Sequence, residues 1–134
     1  MVSLWCLRGR KLPPLRKIPG HVLHGWREHP ARDGSGRPHD ESLADGHRWD
    51  SQREGVSKFP KAWTDQKIVD AVRDTLENPS FYFAKDTRRA VWREIDGVLI
   101  EVSYDILPGG KVVFNTAHPA KTIKKKAKRN ANRS

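Results

Sequence analysis

The chain has 134 residues, a single cysteine and a net charge of +10. That length suits one domain with one modest core, and a lone cysteine excludes an intramolecular disulfide or a cysteine-rich zinc site. No apolar run approaches the ~20 residues of a membrane-spanning helix, in keeping with a mean hydropathy of -0.78. Lys and Arg number 26 against 16 Asp and Glu, so polyanions are the first partners to consider, ahead of charge that serves only solubility or adhesion to a membrane surface.

The opening run Met1 to Leu7 has no basic stretch before it and its apolar character breaks at Arg8, so it does not read as a secretory signal. Residues 1–20 form a basic, proline-rich lead-in that resists helix and sheet alike. Residues 21–60 are polar and punctuated by glycine, and hold five of the six histidines. A short helical or extended piece is expected near residues 21–26, then a long surface loop. Loops of that length inside compact domains are usually functional or disordered, and the histidines favour function.

The next element is sharper. Thr64 is a helix N-cap and Asp65 suits the positive end of the helix dipole. Ile68, Val72 and Leu76 recur every four residues, which predicts a helix over 65–77. Pro79 forces Asn78 out of the helical region and ends it. The period then falls to two. Residues 90–95 and 98–104 read as strands joined by Asp96-Gly97, a tight-hairpin signal. Pro108-Gly109-Gly110 makes the next turn and 111–116 a third strand. The class is α+β, an N-terminal helical and loop region followed by an antiparallel meander. The domain spans about 21–120. Residues 121–134 carry seven basic residues and no acidic ones, which predicts a solvated, mobile tail.

Histidines in a basic chain carry the chemistry. Imidazole titrates near neutral pH and can give and take protons. RNA brings its own nucleophile, the 2′-OH. Internal transesterification needs a base for that proton, an acid for the leaving 5′-oxygen and a cation on the phosphorane, so two histidines and a lysine suffice without a metal or cofactor. The competing use is metal binding by His21-x-x-His24 with His29, His39 or His47, but no strong metal spacing such as His-Glu-x-x-His occurs.

The run His21-Val-Leu-His-Gly25, then Asp45-Gly-His-Arg48, Gly55-Val-Ser-Lys-Phe-Pro60, Trp63, the helix and Asn115-Thr-Ala-His-Pro119 resembles the bacterial EndoU nuclease family over about residues 21–119. These are RNA-cleaving domains often found at the C-termini of contact-dependent growth inhibition and other polymorphic toxins. The resemblance implies a fold akin to barnase and the colicin nucleases. It also implies two active-site histidines, matched by His21 and His47, and substrate contacts from a terminal Thr-x-Tyr, matched by Thr116 and His118. The chain departs from the family at residue 118, where histidine replaces tyrosine. That ring can stack on a base or enter proton transfer. Lys58 is the candidate cation, with Lys85 and Lys111 as alternatives.

Trp49, beside His47 and Arg48, is the tryptophan to test as a base platform, whereas Trp63 is expected to pin the helix start. The expected function is a toxin ribonuclease acting on RNA, tRNA among the candidates, in the cytoplasm of a target cell. His47 is the base and His21 the acid, or the reverse. An acidic immunity protein is the expected partner. The rival readings are a noncatalytic nucleic-acid-binding module and a metal-dependent nuclease.

Overall fold

The computed structural model describes residues 12–13, 18–24, 46–51 and 57–130. Helices α1 (Ile18–His24) and α2 (Asp65–Glu77) precede five strands: β1 (Phe81–Lys85), β2 (Arg88–Ile95), β3 (Val98–Ile106), β4 (Val112–Pro119) and β5 (Lys128–Arg129). The sheet is open and antiparallel, in the order β4-β3-β2-β1-β5. The α+β class expected from the residue pattern is the one observed.

The predicted helix matches α2 at both ends. The Thr64 hydroxyl accepts the Lys67 N–H at 3.1 Å, and the Asn78 N–H closes the last turn on the Asp74 carbonyl at 2.8 Å. Ile68, Val72 and Leu76 are fully buried, each contributing about 1.5–3 kcal/mol. They pack on Val91, Val102 and Ala117, which lie in one register row across the sheet. Trp63 stacks on buried Phe59 at 5.7 Å between ring centroids and so anchors the helix start as expected. The Asp96-Gly97 hairpin forms with both residues at positive φ, 49° and 81°, the backbone that a two-residue turn requires.

Three differences from the expected layout matter for function. Strand β4 runs to Pro119 rather than stopping at 116, and it contains a bulge. Ser103 pairs with Thr116 but Tyr104 pairs with Phe114, which leaves Asn115 as the extra residue. Its side-chain amide donates to Asp105 at 2.5 Å. Because of that residue, Phe114 and Ala117 both reach the helix-side core, while Thr116 and His118 sit opposite Ser103 and Glu101.

The lead-in is not wholly outside the fold. Helix α1 begins at Ile18, which is fully buried, and Leu12 packs against the same core. Pro19 is tolerated there because the first helical turn needs no N–H donor.

The basic stretch from Lys121 onward is expected to be a solvated, mobile tail; the charged side chains of residues 121–130 are exposed, but the segment is docked on the sheet. Lys128–Arg129 pair with β1, and Asn130 is buried, its amide donating to the Pro79 carbonyl at 2.9 Å. Ile123 and Ala127 pack on Phe83, Ala90 and Trp92, covering the face of the sheet opposite the helices. Charge counting overlooks these few apolar and hydrogen-bonding residues. Residues 131–134 and 25–45, the latter with Trp26, His29, His39 and most of the expected surface loop, lie outside the described residues.

Candidate active site

His47 is held by its backbone before its ring is considered. Its N–H donates to the Val22 carbonyl of α1 at 2.7 Å, and its carbonyl accepts the Phe59 N–H at 2.8 Å. The first bond satisfies a helix-end carbonyl that has no partner within the helix. The ring is buried, 7% exposed. Its Nδ1–H donates to the Ser57 carbonyl at 2.7 Å. A carbonyl only accepts, so the neutral ring presents Nε2 as a lone pair, and Nε2 meets the Thr116 hydroxyl at 3.1 Å. That is the tautomer a proton acceptor needs.

A second imidazole stands beside the first. The His118 ring centroid is 5.3 Å from that of His47. His118 Nδ1 lies 2.8 Å from the Pro119 carbonyl and 3.3 Å from the Ser57 hydroxyl. Its Nε2 lies 3.4 Å from Glu101 Oε2. With a carbonyl on one nitrogen and a carboxylate on the other, the ring is best matched as an imidazolium. The contact with Glu101 raises its pKa above 6.5 against the opposing effect of burial, and the same contact lowers that of Glu101. Ser57 touches both rings, its carbonyl on one and its hydroxyl on the other.

The segment after His47 is fixed by charge. Arg48 forks onto Asp50, with two bonds of 2.6 Å, and reaches Asp65 of α2 at 3.1 Å. The pairing holds the Asp50 carboxyl below its usual range and the guanidinium above its own.

The structure therefore brings together His47, Thr116 and His118. Lys58 is exposed and adjacent to Ser57. Lys111 stands five residues before Thr116, about 16 Å along a strand, and Lys85 lies on β1, three strands from β4, whereas Lys58 follows Ser57 directly and its charge acts on Asp50. Trp49 is 44% exposed, with the Lys61 ammonium 5.1 Å from its ring. His21 lies in α1 next to Val22, and its side chain is outside what the structure describes. Sequence reasoning missed Ser57, Glu101 and the Trp92 indole behind Glu101. Ser57 lay within a stretch already singled out, but nothing in the residue order marks Glu101.

The sequence model of the family described as bacterial EndoU nuclease matches residues 35–121, more than half of the chain. The chain belongs to that family. This EndoU nuclease carries His47, Ser57, Thr116 and His118 within the matched region, whereas α1 and His21 precede it. Neither the comparison with curated proteins nor that with solved structures gives a match. No helix is long and apolar enough to cross a membrane, and no group of three metal-ligating side chains occurs, both among the described residues.

Proposed function

We propose that this nuclease cleaves RNA by transesterification, leaving a 2′,3′-cyclic phosphate and a 5′-hydroxyl end. The observation that carries the reading is the pair of imidazoles 5.3 Å apart, one set as a proton acceptor and the other paired with a carboxylate. His47 Nε2 takes the 2′-OH proton, and the 2′-oxygen attacks phosphorus. A second histidine, His21 or His118, protonates the leaving 5′-oxygen. Lys58 offsets charge on the phosphorane. Thr116 holds the His47 ring until substrate displaces its hydroxyl. The family resemblance supports a toxin effector delivered to a target-cell cytoplasm, and the net charge of +10 fits an acidic immunity protein as partner.

The test is incubation of a defined RNA with the protein in chelator, followed by end mapping. Cyclic phosphate ends are expected, with no cleavage when the cut position is 2′-deoxy and none by His47→Ala. Cleavage of the deoxy substrate at the parent rate overturns the mechanism. Loss of activity in chelator favours a metal-dependent nuclease, and binding without cleavage favours a noncatalytic module.

A further inference from the structure

One row of the sheet runs Trp92, Glu101, His118 through three adjacent strands. The three side chains are linked. The Trp92 indole N–H donates to Glu101 Oε1 at 2.9 Å, and Glu101 Oε2 faces His118 Nε2 at 3.4 Å. Trp92 is 1% exposed, so the carboxylate is fixed from behind by a group that cannot turn away. The Asn115 bulge is what sets His118 in this row, opposite Glu101. On the other side of the ring, Nδ1 is shared between the Pro119 carbonyl and the Ser57 hydroxyl. Ser57 also holds His47 through its carbonyl, so one residue ties the Nδ1 edges of the two rings together, 5.3 Å apart at their centroids.

We infer that Glu101 and His118 form the acid half of this site: Glu101, anchored by Trp92, positions the His118 imidazolium, and His118 Nδ1–H, exchanging its Pro119 and Ser57 partners for substrate, protonates the leaving 5′-oxygen. The inference rests on the ribonuclease reading and assigns the residue that reading leaves open. The bond from the 2′-oxygen to phosphorus forms as the bond from phosphorus to the 5′-oxygen breaks. His47 Nε2 gains the 2′ proton and His118 Nδ1 gives one to the 5′-oxygen. The protein finishes with His47 protonated and His118 neutral, and water exchange restores both. Glu101 touches no reacting atom and is a positioning residue. Among the described residues, the titratable and charged groups facing His118 are Glu101 from β3, the neutral His47 ring and, acting on Glu101, Lys124 from the C-terminal segment. Glu101 is the nearest and raises the ring's proton affinity.

The experiment uses the full chain and two RNAs that differ only at the cut site, one with the normal 5′-oxygen and one with sulfur in its place. A thiolate leaves without a proton, so the sulfur substrate needs no acid. His118→Ala should lose about 10²–10⁴-fold on the oxygen substrate and cleave the sulfur substrate at nearly the parent rate. His118→Gln, which keeps a polar side chain of similar reach, should behave alike and covers the case in which the alanine variant folds poorly. His47→Ala should fail on both substrates. Glu101→Gln keeps an acceptor for Trp92 but loses the charge, so the high-pH limb of kcat on the oxygen substrate should move to lower pH with KM unchanged. Equal losses by His118→Ala on both substrates overturn the inference, as does sulfur rescue of His21→Ala in its place. If the parent protein cleaves neither RNA, the ribonuclease reading fails first, and the failure appears in the parent rather than in a variant.

Discussion

Gly46 passes so close to Val22 that a Cβ on Gly46 would overlap the Val22 carbonyl oxygen. That oxygen is the one the His47 N–H bonds, so the glycine before the histidine lets the loop dock onto α1 and sets the height of the ring. Gly46→Ala should cost about 1–3 kcal/mol through overpacking, read as a lower denaturation midpoint. Activity should fall further than stability requires, because a displacement of about 1 Å in a catalytic group can cost roughly 10²-fold. An alanine variant with parental stability and rate would contradict this account.

The Glu101–His118 pair makes stability depend on pH in a defined window. Glu101 is held below 4.5, so its contribution is complete above 4.5 and is lost as pH falls through the lowered folded value. His118 is held above 6.5, so its contribution is complete below 6.5 and is lost as pH rises through the raised folded value. The stability difference between the parent and Glu101→Gln should therefore be greatest between pH 4.5 and 6.5 and shrink on either side. Denaturant titrations of both proteins across pH measure it, and a difference independent of pH would rule the coupling out.

The C-terminal basic segment has two separable roles. Asn130→Ala removes a buried donor to Pro79 and should lower stability by about 1–3 kcal/mol. Lys125 and Lys126 are exposed, so replacing both by Gln should leave the fold intact. For every phosphate of a single-stranded RNA that these lysines neutralise, the double variant should show a slope of log affinity against log salt shallower by about 0.7. An unchanged slope would mean these lysines do not touch RNA.

Trp49 stands exposed two residues from His47. If a base of the substrate stacks on it, Trp49→Ala should weaken binding by about 1–3 kcal/mol, read as a higher KM at constant kcat. Steady-state kinetics on a short RNA distinguishes this from a fall in kcat with KM unchanged, which would reject the platform.

Local chemistry decided what could be read without coordinates. The bounds of α2 follow from a cap, a four-residue stripe and a proline, all of them interactions between near neighbours. The Asp96-Gly97 hairpin is legible for the same reason, since the left-handed backbone of the turn selects those two residues. His47, Thr116 and His118 stood out through their motifs, and two-residue strand spacing placed the last two on one face. Tertiary structure alone decided the rest. The Asn115 bulge determines which face that is, and it depends on Asp105 from a neighbouring strand. Glu101 reads as an ordinary strand carboxylate until the register sets it between Trp92 and His118. Residues 121–130 look like a charged tail until Ile123, Ala127 and Asn130 meet a surface made thirty to fifty residues earlier in the chain. Short-range preferences are written in consecutive residues, whereas register and docking are chosen by surfaces that exist only once the sheet has formed.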